Sequence, residues 1–177
     1  MKIFIPSKGR SNTIKTHLLL GGMDYYVIVH NESERAGTGF CGFGTIENYY
    51  FRCKKWKTIS LICSKCCLVK NDELRYDENI LTMDDYDMSI QAMIKYGKVL
   101  VNSYVWPNAN HNQSGGLGKL SERGDKKVND CKILMNKYPR LLRYKDRKNS
   151  IEGAEVCLRF YSEKQFLNWR NNAFTIA

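Results

Sequence analysis

The opening of the chain confines it to a small set of folds. Ile3, Phe4 and Ile5 form an unbroken apolar run, and Pro6, which has no amide hydrogen for a ladder, ends it. A polar stretch over residues 7–12 comes next, then a short helix over 13–20 closed by Gly21 and Gly22, then a second apolar run over 25–29. Strand, loop, helix, strand is how a parallel sheet begins, because parallel neighbours need a crossover between them. A continuous apolar run belongs to a strand covered on both faces. Residues 2–6 are therefore expected at the sheet centre, with Ile3 and Ile5 buried on one face and Phe4 on the other.

The alternation continues downstream. Residues 56–69 read as strand material. Residues 84–96 read as a helix with Ile90, Met93 and Ile94 on its apolar side and Gly97 as its stop. Asp84, Asp85 and Asp87 crowd its first turn, where the helix dipole favours acids. Residues 99–106 form a strand before Pro107. Residues 126–138 form a helix with Val128, Cys131, Leu134 and Met135 on one side, and 155–161 a late strand. Ser162 caps a final short helix in which Phe166 and Trp169 pack. The stretch 34–44, with four glycines, reads as a loop; it lacks the GK[ST] ending of a P-loop. A chain of 177 residues suits one domain over 1–177. The expected class is α/β, a mostly parallel or mixed central sheet with flanking helices. No window approaches the roughly 18 apolar residues of a membrane span, and the N-terminus lacks a signal-peptide core, so a cytoplasmic protein without membrane contact is expected.

The net charge of +10 points to a polyanionic partner. It is concentrated: between Lys119 and Lys148, eleven Lys or Arg face four acids, so +7 lies in that stretch. Arg140, Arg143, Lys145, Arg147 and Lys148 alternate there with Tyr138 and Tyr144, the mixture of cations and aromatic faces that a nucleic-acid groove uses. A solvated basic face is the competing reading, and the same charges could hold a diphosphate. Cys63, Cys66 and Cys67 include a CxxC, but a second ligand pair is missing; buried thiols account for them better than zinc does.

Three groups can carry chemistry. The loop after the first strand offers Ser7, Lys8 and Arg10, with Gly9 permitting close backbone approach, which suits a diphosphate beyond a strand's carboxyl end. The acid cluster Asp84, Asp85, Asp87 suits a hard divalent ion or a general base, although helix capping explains part of it. The loop over 108–116 carries His111, better read as an exposed side chain.

The order of these pieces resembles the phage glycosyltransferase-like proteins associated with hypermodified DNA bases, the TET-associated glycosyltransferase group, a GT-A-like family. The match lies in IFIPSKGRSNTIKTHLLL with YYVIVHNESE, and in a block from about Leu68 to Phe160. That block contains the acid cluster in MDDYDMSIQ, the NQSGGL glycine pair and the basic KYPRLLRYKDRKN. The resemblance implies a compact GT-A-like fold with a nucleotide-sugar donor at Ser7, Lys8, Gly9 and Arg10. It implies an acid, Asp85 or Asp87, acting near the acceptor, and a divalent metal, Mn or Mg, for which Asp84 and Asp85 are the candidates. DNA or another nucleic acid would lie along Arg140, Arg143, Lys145, Arg147 and Lys148, in the host cytoplasm if the protein is viral. Asp84 stands where the family carries glutamate. Between Glu34 and Leu68, where GT-A enzymes bring a DxD motif, there is no Asp. That departure leaves a second reading: a reduced scaffold that binds a nucleotide, nucleic acid or a host ribonucleoprotein as an antagonist.

Overall fold

The computed structural model describes residues 37–43, 55–62, 67–70, 73–103, 120–147, 153–160 and 162–174. The expected first strand, the SKGR loop (Ser7, Lys8, Gly9, Arg10), His111 and Lys148 lie outside these residues.

The described chain is α/β. Four short strands, β1 (Phe40–Phe43), β2 (Trp56–Lys57), β3 (Cys67–Val69) and β4 (Leu100–Asn102), form a mixed sheet in the order β2-β4-β1-β3. The central pair, β1 and β4, is parallel, with Cys41 opposite Leu100 and Phe43 opposite Asn102. β3 and β2 flank it antiparallel. Both faces of the pair are covered, as the sequence logic of parallel strands requires. Phe40 and Val101 join the main core, while Cys41 and Leu100 form a smaller cluster with Phe43, Trp56 and Leu68.

Helix α1 (Asp84–Tyr96) has the limits its sequence implies. Gly97 ends it at φ 80°, a left-handed conformation that glycine adopts without a Cβ penalty, and donates its N–H to Met93 O at 2.8 Å. Helix α2 (Leu120–Lys137) begins at Leu120, ahead of the expected Lys126. It packs on a two-stranded antiparallel sheet of β5 (Leu142–Arg147) and β6 (Gly153–Leu158). Helix α3 (Glu163–Phe174) closes the described chain. Ser162 caps it as expected: its Oγ accepts from Gln165 N at 3.3 Å, and its carbonyl from Phe166 N at 3.1 Å. Phe166 is fully buried, with Phe160 edge-on at 6.1 Å and Trp169 at 5.6 Å. Buried residues from α1, α2, β4, β5, β6 and α3 form one continuous core.

Two expectations are corrected. The stretch 34–44 is not all loop, because Phe40–Phe43 is a central strand. Its glycines have specific causes: Gly37 turns the chain at φ 64°, and Gly39 lies beneath Tyr96, where a Cβ would sit 2.1 Å from the ring. The stretch 56–69 is not one strand. Among the described residues of this stretch only Trp56–Lys57 and Cys67–Val69 pair, and residues 58–62 are irregular.

Candidate functional site at the acidic turn of α1

Helix α1 runs back along the parallel strands. Thr38 Oγ1 donates to Lys98 O at 2.9 Å, tying the start of β1 to the start of β4, and Tyr96 covers Gly39 at the same edge. The C-terminus of α1 therefore sits where both strands begin. A 13-residue helix is roughly 20 Å long, so its first turn lies toward the edge where they end. In open α/β sheets, ligands bind beyond that carboxyl edge.

Cys67 of β3 stands opposite Gly42 at this edge. Tyr76, on the segment leading to α1, hydrogen-bonds Cys67 and lies within electrostatic reach of Asp84 and Asp85. Burial, then Cys67, then the two acids push its phenol above the usual tyrosine range, so it stays neutral and protonated at physiological pH. The residue is still 42% exposed. Its neighbours are held in place. Gln91 Nε2 donates to Arg75 O at 2.7 Å, while its Oε1 accepts from Arg75 N at 3.3 Å. Lys137 Nζ donates to Asp77 at 2.8 Å. Asp85 is anchored through its backbone: Ser89 Oγ donates to Asp85 O at 2.8 Å and accepts from Ile62 N at 2.9 Å.

The three aspartates of the cluster are not equivalent. Asp84 and Asp85 are half-buried in the first turn. Asp87, with no exposed surface, accepts from Tyr138 Oη at 2.7 Å and Gln91 Nε2 at 2.7 Å, and pairs with Lys137 Nζ at 3.0 Å. A buried charge is tolerated when paired and bonded in this way. Burial works against the Lys137 ammonium, but bonds from Asp77 and Asp87 and their charges outweigh it and raise it above its ordinary value. The Tyr138 phenol is raised by burial and by its bond to Asp87. Tyr138 thus faces inward, onto a carboxylate.

Asp130 of α2 is a second enclosed carboxylate. It accepts from Leu81 N at 3.1 Å, from Thr82 N at 2.6 Å and from Thr82 Oγ1 at 2.6 Å. It thereby fixes the backbone just ahead of Asp84. Asp130, Lys137, Gln91 and Tyr76 were not singled out by sequence reasoning, and Tyr138, read there as an aromatic face beside the cations, instead donates to Asp87. The Asp87–Gln91 spacing of four residues was a visible signal; the partners on α2 lie about fifty positions away and left none.

The basic stretch divides. Lys137, a third of its side chain exposed, spends its ammonium on Asp77 and Asp87, and Arg140 is exposed in the turn before β5. Arg143, Tyr144, Lys145 and Asp146 are exposed on β5, and Arg147 is half-exposed and bonded to Glu155. Among the described residues, no group of three or more His, Cys, Asp or Glu is placed to hold a metal ion, and no helix is long and apolar enough to cross a membrane. Comparison of the chain with protein-family models, curated proteins and solved structures gives no match.

Proposed function

We propose that the chain is a GT-A-like glycosyltransferase that moves a sugar from a nucleotide-sugar to a modified base of DNA. The observation that carries this reading is the gathering of Asp84, Asp85 and Tyr76 at the carboxyl edge of the β1–β4 pair, on a turn held by Asp130, Gln91, Ser89 and Lys137. Asp85 is the base for the acceptor hydroxyl. Asp87, whose oxygens are all engaged, anchors α1 to α2. The exposed Tyr76 offers its ring for a sugar or base to pack on. Ser7, Lys8, Gly9 and Arg10 cradle the diphosphate leaving group. Asp84 would supply a hard oxygen donor of the kind Mg or Mn prefers, and the cation would neutralise the diphosphate.

The test is release of nucleoside diphosphate from a panel of nucleotide-sugars, with hydroxymethylated duplex DNA and Mn²⁺. Asp85→Asn should lower turnover by about 100-fold or more, as loss of a general base does, without shifting the melting temperature. Turnover by Asp85→Asn equal to wild type sinks the base assignment. The missing Asp between Glu34 and Leu68 favours a second reading, a binding module. Stabilisation by a nucleotide-sugar, nucleic acid or ribonucleoprotein without turnover would select it.

A further inference from the structure

Strand β5 sorts its charges by face. In an antiparallel pair, residues directly opposite project to the same side. Arg143, Lys145 and Arg147 stand opposite Cys157, Glu155 and Gly153, so these six share one face with Lys145 and Glu155 as its centre. Leu142, Tyr144 and Asp146 stand opposite Leu158, Val156 and Ala154 on the other face, which holds the buried Leu142, Ala154 and Val156. The acid of the strand is thus turned away from its cations. Alternate residues on a strand are about 7 Å apart, so the three cations form a straight row of about 14 Å. A row of that length suits a regularly charged polymer better than a single diphosphate. A carboxylate interrupts it among the described residues: Glu155, opposite Lys145, accepts from Arg147 Nε at 2.8 Å and also from its Nη2. Its side chain is 24% exposed and that of Arg147 39%, so water and ligand reach both.

We propose that this face of the β5–β6 hairpin binds the phosphate backbone of duplex DNA, and that Glu155 is a built-in competitor occupying the place of a phosphate on Arg147. The proposal shares with the preceding section only the assumption that DNA is the partner. Phosphate contact and the Glu155 contact use the same guanidinium donors, so binding at Arg147 displaces Glu155. The carboxylate therefore lowers affinity and removes a counterion that binding would otherwise release. Such a surface grips DNA weakly and without regard to sequence, which lets a protein move from base to base.

The experiment is anisotropy of a labelled short duplex at about 50 and about 200 mM salt, with no nucleotide-sugar present. Glu155→Gln keeps the size of the side chain and should bind roughly fivefold tighter, with a salt slope steeper by about one counterion. Arg143→Glu should weaken binding about tenfold on every sequence alike and flatten the slope. Thermal melts check that each variant is folded, and because the two predicted shifts are opposite in sign, loss of either protein leaves the other decisive. Glu155→Gln binding no tighter than wild type, or Arg143→Glu binding as well as wild type, overturns the proposal. Equal competition by polyglutamate at the same charge concentration also overturns it, in favour of an acidic protein partner. DNA binding with these shifts but no diphosphate release from any donor would retain this surface and remove the transferase reading.

Discussion

Two ion pairs drawn from one basic stretch serve the molecule differently. Lys137 meets Asp87, whose side chain has no exposed surface, and Tyr138 and Gln91 complete the set of donors. Arg147 meets Glu155 on the outer face of a hairpin, with both side chains partly in water. The first joins α2 to α1 and stabilises the acidic turn. The second adds little to stability, because exposed pairs gain modest attraction and lose side-chain entropy. Charge count alone does not distinguish them; enclosure and the neighbouring donors do.

The sharpest way to break this contrast is Asp87→Ala. It leaves the Tyr138 hydroxyl without its acceptor and removes one of the two carboxylates on Lys137. A loss of about 3 kcal/mol is expected in urea unfolding, because the Tyr138 hydroxyl and the Gln91 amide both lose an enclosed acceptor. A loss below about 1 kcal/mol would make the enclosed pair no different from an exposed one. Asp130→Ala should cost about 2 kcal/mol, because two backbone N–H groups lose their acceptor together. Hydrogen exchange at Leu81 and Thr82 would report it directly; unchanged protection there would contradict the role given to Asp130.

Acid should dissect the inner network. The hydrogen bond from Lys137, with those from Asn79, lowers the Asp77 carboxyl from 3.8 to about 2. A value lowered by folding contributes stability that is complete above the ordinary value and is lost as pH falls through about 2. Melting temperatures taken down that range should fall less steeply for Asp77→Asn than for wild type; parallel curves would remove Asp77 from the network. The smallest effect belongs to the outer pair. Arg147→Ala should change stability by less than about 1 kcal/mol, and a larger loss in the same urea titration would show that the hairpin depends on it.

Much of the fold was legible where one local signal stood alone. The limits of α1 follow from acids in its first turn, an apolar stripe and Gly97, and the cap at Ser162 from its hydroxyl. Strand β1 was hidden because glycine normally signals a turn, while here Gly39 is required by the Tyr96 ring packed on it. At the site, the acid cluster was visible as a run of letters. Its division into the enclosed Asp87 and the half-buried Asp84 and Asp85 depends on side chains of α2 that reach it from across the chain. The basic stretch was visible as a charge excess, but its faces appear only once β5 pairs with β6 in a definite register.

The pairing of β1 with β4 has a consequence for the order of folding. The Thr38–Lys98 bond at its edge spans 60 positions, whereas the Arg159–Leu142 bond beside the hairpin spans 17. Closing a longer stretch of chain costs more entropy before any contact rewards it, and parallel strands cannot be joined by a tight turn. The α2–β5–β6 unit is thus the part able to assemble early, and the central sheet the part that must wait. The acidic turn, clamped by α2 on one side and reaching β3 of the sheet through Tyr76 on the other, becomes complete only when the slow half docks on the fast one. Amide protection during refolding should therefore appear in β5 and β6 before β1; the reverse order would refute that sequence of events.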